Sequence, residues 1–204
     1  MCIRDRIKID SELKAKGTLF ALAATARHAL AGLGNKLPSL IVGHGVLGRL
    51  LARLTIAAGG EPPTVWESNP LRVGHQTDYK VIDPLKDSSS DHEAIYEASG
   101  DISVLDKIIP KLKKNGEIVL AGFYSSPICF AFPPAFMREA RFRISAEFNT
   151  EDINITRSLL ETGALSLEGL ISHEKNVNSS KAAYKQSFED PECLKMVIDW
   201  REVA

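Results

Sequence analysis

The sequence predicts an α/β fold: a doubly wound, parallel six-stranded sheet followed by a C-terminal tail of different character. Three observations lead there. Short apolar runs recur at intervals of roughly 15 to 30 residues, several with helical patterns between them, and such spacing needs crossover connections and parallel pairing. The first run ends in a glycine loop that opens a helix. Beyond Thr150 the pattern changes to two helices and two short strands, too little for an independent domain.

In order along the chain, Ser11 to Ala31 is rich in Ala and Leu, with Gly32 and Gly34 as stop signals, and predicts one helix. Between Leu19 and Ala26 it is apolar on almost every face, so it is expected to be buried against other protein. Leu37–Val42 is the first strand, and Val46–Ala58 has helical spacing. After the Gly59-Gly60-Glu61-Pro62-Pro63 loop, Thr64–Glu67 reads as the second strand and Tyr79–Ile82 as the third. Ala94–Ala98 is the fourth, closed by Ser99-Gly100, and a helix follows from Ile102 to Leu112, stopped by Lys114-Asn115-Gly116. Glu117–Gly122 is the fifth strand, and the alternation of Phe142, Ile144 and Ala146 makes Arg141–Phe148 the sixth. In the tail the pattern gives a helix over Glu151–Thr162, a strand over Leu170–His173, a helix over Ser179–Phe188 and a strand over Leu194–Trp200.

Composition narrows the functional classes. The 204 residues are 44% hydrophobic and 25% charged, proportions of a folded globular chain. A net charge of −1 removes the electrostatic footprint of a nucleic-acid binder. No apolar run reaches the roughly 18 to 20 residues of a membrane span. The longest candidate, Leu19–Leu30, is shorter and contains Arg27 and His28. Cys2, Cys129 and Cys193 are far apart and form no CxxC pair, which suits a reducing cytoplasm rather than a disulfide scaffold or zinc lobe. Met1–Arg6 has neither periodicity nor signal-peptide character and reads as a terminal scar.

Gly43-His44-Gly45-Val46-Leu47-Gly48 is G-x-G-x-x-G. Alone the pattern is weak, but here it follows an apolar strand and opens a helix, and Glu67 ends the next strand about 20 residues on. These are the demands of a Rossmann dinucleotide site. Gly43 allows the tight turn, Gly45 lets backbone approach a pyrophosphate, and Gly48 lets helix and strand pack closely. The helix N-terminus at Val46 and Leu47 offers unpaired N–H groups and a positive dipole end. Glu67 would accept hydrogen bonds from the adenosine ribose and repel a 2′-phosphate, which favours NAD; Arg72, close by in sequence, could instead pair with that phosphate.

Other residues are more ambiguous. His44 either reaches the pyrophosphate or is solvated. Ser99-Gly100 and Gly122-Phe123-Tyr124 end strands on the carboxyl edge, where their backbone groups either hold the nicotinamide ribose and carboxamide or are plain turns. Phe130, Phe132, Phe136 and Met137 form an apolar cluster around Pro133-Pro134, read as core or subunit contact, and with the tail they favour self-association. His173, a lone histidine ending a strand, reads as either a proton carrier or, more commonly for such a position, a structural residue. No metal ligand set or nucleophile elbow stands out.

Gly43–Arg53, Glu117–Tyr124, Phe132–Ala140 and Cys193–Val197 resemble the bacteriochlorophyllide a dehydrogenase family, within the medium-chain alcohol dehydrogenases. The resemblance runs from about Gly17 to Glu202 and is most specific over Phe132–Ala140. It implies oxidation of the 3-(1-hydroxyethyl) group of a bacteriochlorophyllide, a tetrapyrrole alcohol, to 3-acetyl, with hydride passing to NAD. It also implies a division into a scar and joining helix (1–36), a Rossmann cofactor domain (37–150) and a tail (151–204) completing a catalytic domain that is absent. Catalytic residues and any zinc would lie in that absent part, so none is assigned here. A non-catalytic NAD-sensing module competes with this reading, but the long tail disfavours it. A methyltransferase fits less well, since Val42 rather than an acid precedes Gly43.

Overall fold

In the computed structural model, residues 7–31, 36–73 and 77–201 are described. Met1–Arg6, Gly32, Gly34 and Glu202 lie outside them.

The expected single helix over Ser11–Ala31 is two elements. Ser11–Leu19 is 3₁₀, with Lys14 at φ 48°, and only Phe20–Leu30 (α1) is α-helical. A non-glycine residue with positive φ breaks the i→i−4 ladder, and Ala/Leu content does not reveal such a break. The apolar stretch of α1 is buried as expected, through Phe20, Ala23, Ala24, Ala26 and Ala29.

The sheet comprises Leu40–Val42 (β1), Thr64–Trp66 (β2), Lys80–Ile82 (β3), His92–Glu97 (β4), Leu112–Leu120 (β5) and Arg141–Ile144 (β6). All neighbours pair in parallel, in the order β3-β2-β1-β4-β5-β6. β1 is central, and all three of its side chains are buried, as a strand covered on both faces requires. One face is covered by α1 and by Val46–Ala57 (α2), whose Leu50, Leu51 and Leu54 join Ile41, Val65 and Tyr96. The other packs Leu105 and Ile108 of the short helix Leu105–Ile108 (α3) and Ala135 of Phe132–Arg138 (α4) against Leu40, Ile95 and Ile118.

Two boundaries differ from expectation for local reasons. Leu112 to Gly116, expected as helix end and stop, belong to β5: Asn115 adopts φ 62° and the β4–β5 register shifts between His92 and Ala94, so a bulge stands where a helix stop was expected. The helical segment before it is mostly 3₁₀, with Pro110 inside its last turn. The sixth strand stops at Ile144, and its alternating face looks outward, with Ile144 77% exposed.

The tail consists of Thr150–Glu161 (α5), His173–Asn176 (β7), Ser180–Glu189 (α6) and Met196–Asp199 (β8), with β7 and β8 paired in parallel as a separate two-stranded sheet. The strand expected at Leu170 begins three residues later, because Leu165, Leu167 and Leu170 turn into the core instead. α5 starts with a reciprocal capping box between Asn149 and Asp152. The buried Asp152 carboxylate also accepts from Arg27 Nη1 at 2.9 Å and meets His28 Nδ1 at 2.7 Å, which ties α5 to α1. No helix among the described residues is long and apolar enough to cross a membrane.

Candidate functional site

β1 ends at Val42, and its sheet hydrogen bonding continues one step further, from Gly43 N to Trp66 O (2.9 Å). Gly43 then turns at φ +98° with its Cα against Ser99; an added Cβ would lie 3.0–3.1 Å from Ser99 atoms. Only glycine adopts that turn without strain. Gly48 packs the new helix onto the loop so closely that a Cβ there would lie 1.8 Å from Gly43 O. Gly45, the N-cap of α2, is the opposite case. It has no side-chain cap, and a Cβ on it would meet nothing within 4 Å. Val46 and Leu47 follow in the first turn, where N–H groups have no intrahelical partner. Bare backbone donors at a positive dipole end, facing open space, are the elements of an anion site.

That space is a cleft of about 330 Å³ along the carboxyl edge of the sheet. Gly43, His44 and Gly45 wall it in the middle, Trp66, Glu67 and Arg72 on the β2 side, and Ser99, Asp101 and Lys107 on the β4 side. Glu67 is 9% exposed; Oε1 accepts from Asn69 N (2.8 Å) and Oε2 from His44 N (3.3 Å). An ionised carboxylate has about four acceptor positions, so this one can still take hydroxyl donors from the cleft. Arg72 sends Nε to Pro191 O (3.0 Å) and Nη2 to Cys193 O (3.4 Å), pinning the tail to the β2 loop. The Trp66 indole donates to Asp87 at 2.6 Å.

His44 departs from both sequence expectations. Its ring is fully buried, with Nδ1 3.0 Å from Arg72 O and Nε2 3.0 Å from Tyr79 Oη, so it neither is solvated nor extends toward a phosphate. The ring also meets Tyr79 edge-on, with centroids 5.7 Å apart.

Of the residues ending β4 and β5, Ser99 is in the cleft wall. Gly100, Gly122 and Phe123 pack together beside it rather than in that wall: a Cβ on Gly100 would lie 2.6 Å from Phe123 O. Phe123 itself is 91% exposed. What holds these loops together is a residue that sequence reading passed over, Glu97, the last of β4. Its fully buried carboxylate accepts from Ser99 N (2.7 Å), Ser99 Oγ, Gly100 N (3.2 Å) and Tyr124 Oη. An acid following the apolar Ala94-Ile95-Tyr96 run was the available signal; its partner lies 27 positions on. Burial and this bond push the Tyr124 phenol well above its ordinary range, so it remains a donor.

The apolar cluster around Pro133-Pro134 is exposed, with Phe132, Phe136 and Met137 on the surface and Phe130 stacked on Phe142 at 4.8 Å. His173 sits 2.8 Å from Ser172 Oγ at the start of β7, with Nε2 3.8 Å from Asp190 Oδ2. Among the described residues no group of three His, Cys, Asp or Glu is arranged to hold a metal.

No protein-family model matches the sequence. Two curated proteins do, both named 2-desacetyl-2-hydroxyethyl bacteriochlorophyllide A dehydrogenase. The chain is 58% identical over 198 residues to the protein of Cereibacter sphaeroides and 55% identical over 195 residues to that of Rhodobacter capsulatus. These matches span 97% and 96% of the chain but 62% of each relative's length. Solved structures share the fold at low identity. They include the alcohol dehydrogenase TADH from Thermus sp. ATN1 (TM-score 0.81, 20% identity, 96% of this chain and 61% of that one). An alcohol dehydrogenase from E. coli CFT073, solved with NADH, gives 0.80 at 16% identity over 97% and 63% of the two chains. A zinc-binding dehydrogenase from Sinorhizobium meliloti 1021, solved with NADP, gives 0.74 at 17% over 89% and 58%. Over 62% of the length of each curated relative, the chain is thus similar to bacteriochlorophyllide a dehydrogenases, and it shares the fold of the solved dehydrogenases.

Proposed function

We propose that the cleft binds a nicotinamide dinucleotide, NAD in preference to NADP, and that the chain is the cofactor-binding portion of an oxidoreductase. Residues 37–150 hold the cofactor in this reading, and 151–204 form a tail that belongs with the catalytic domain of the enzyme. The observation that supports it most is the pairing of Gly45, whose missing Cβ faces open space at the start of α2, with the nearly buried Glu67 across the same cleft. The pyrophosphate would lie on the N–H groups of the first turn of α2, and Glu67 would accept from the adenosine ribose hydroxyls. A 2′-phosphate at that ribose would face the Glu67 carboxylate, and two of the Arg72 donors that could offset it are engaged by the tail. The names of the curated relatives support a hydroxyethyl bacteriochlorophyllide as the substrate; in this reading its 3-(1-hydroxyethyl) group is oxidised to 3-acetyl. A nicotinamide bound here would take hydride from the carbinol carbon, the hydroxyl proton leaving to a base. The exposed aromatic group around Pro133-Pro134 is, in the same reading, the face on which the chain self-associates.

Calorimetric titration with NADH tests the cofactor assignment. Saturable binding, accompanied by a change in emission from Trp66 in the cleft wall, is expected. Absence of heat and emission change at millimolar NADH would contradict it.

A further inference from the structure

Glu97 stands next to β1 on the side away from β2, and its carboxylate is fully buried with no ion pair among the described residues. Burying a carboxylate without a cation is costly unless every lone pair finds a donor. Here three donors come from the loop leaving β4, Ser99 N, Ser99 Oγ and Gly100 N, and the fourth, Tyr124 Oη, from the loop leaving β5. The main chain reinforces the crossing, since Glu97 O accepts from both Ala121 N and Gly122 N at 2.9 Å. The loops touch so closely that side chains are excluded: a Cβ on Gly122 would lie 2.7 Å from Gly100 N and 3.0 Å from Glu97 Oε2.

In a doubly wound sheet the two halves of a dinucleotide lie on opposite sides of the central strand. With the adenosine half at β2 and Glu67, the other half lies over the loops that Glu97 joins. We propose that Glu97 and Tyr124 are positioning residues for the nicotinamide half of the cofactor. By clamping the two loops together they hold the backbone groups of Ser99-Gly100 and Gly122-Phe123 at a fixed separation under that half. This rests on the dinucleotide reading and adds to it a residue pair that touches the scaffold rather than the cofactor.

The test compares NADH with ADP-ribose, which lacks the nicotinamide, on the full chain and on two variants, Tyr124→Phe and Ser99→Ala. Each variant removes one donor from the buried carboxylate and no backbone group; Ser99→Ala also removes the acceptor of Asp101 N (3.1 Å), a contact that Tyr124→Phe leaves intact. Near-ultraviolet circular dichroism verifies that the variants are folded. NADH affinity is expected to fall roughly threefold to tenfold, with the emission enhancement of bound NADH reduced and ADP-ribose affinity unchanged. An equal loss for both ligands would show a general structural role and overturn the proposal. So would unchanged NADH binding in both folded variants. A parent chain that binds ADP-ribose but gains nothing from the nicotinamide overturns the clamp alone, whereas one that binds neither overturns the dinucleotide reading and the clamp with it.

Discussion

Two glutamates end the strands on either side of β1, and they do different work. Glu67, after β2, is 9% exposed, gives each oxygen one backbone N–H, and faces the cleft. Glu97, ending β4, is fully buried and takes four donors from two loops. The same side chain beside neighbouring strands of one sheet thus keeps acceptor capacity toward the cleft in one case and is a brace in the other. The number of lone pairs left over makes the difference. A carboxylate with spare acceptor capacity beside open space can bind hydroxyls, whereas a saturated one can only hold its surroundings in place.

That contrast can be broken by mutation. Glu97→Leu keeps the apolar volume but strands Ser99 N, Gly100 N and the Tyr124 hydroxyl, and is expected to cost about 2 to 4 kcal/mol in urea unfolding. A loss under about 1 kcal/mol would mean that the brace is not structural. The glycines offer a second contrast of the same kind. Gly48→Ala forces a methyl toward Gly43 O and should cost roughly 1 to 3 kcal/mol. Gly45→Ala, with open space at its Cβ, should alter stability by no more than about 0.5 kcal/mol while weakening NADH. Comparable destabilisation by the two alanines would remove the argument that Gly45 is kept clear for a ligand.

The opposite end of β4 sharpens the comparison through pH. His92 is buried between Ser39 Oγ (2.9 Å) and Ser89 Oγ (3.0 Å), and burial holds its imidazole below the ordinary 6.5; Asp87 opposes that shift and Lys111 adds to it. The unfolded chain therefore binds this proton at higher pH than the folded one. Stability is unaffected by His92 above about pH 6.5 and is lost as pH falls from there through the lowered folded value. His92→Gln should flatten the acid side of the stability profile, and an unchanged acid limb would show that His92 does not govern it.

The glycine loop and Glu67 beside it were legible in the sequence because a tight strand-to-helix turn demands glycine at fixed short spacings. The strand–turn–helix context and an acid about 20 residues on suffice to read them. The centre of the sheet was legible for a related reason: β1, buried on both faces, is apolar throughout. Glu97 was not legible, since its meaning depends on Tyr124, brought to it only by the pairing of β4 with β5. His44 was misread because sequence cannot show whether a loop side chain turns in or out, and Tyr79 and the Arg72 carbonyl draw it inward. The break at Lys14 and the late start of β7 are likewise settled by backbone conformation and by where Leu170 finds a core, neither of which periodicity encodes.

The most direct test of the account is the cofactor preference of Glu67→Ala. One charge-assisted hydrogen bond to the ribose contributes roughly 1.5 to 3 kcal/mol, so calorimetry should show NAD binding weakened by about tenfold or more. NADP binding should be weakened far less, or improved, as the carboxylate that repels its 2′-phosphate is gone. An equal loss for both dinucleotides would contradict the placement of the adenosine ribose at Glu67.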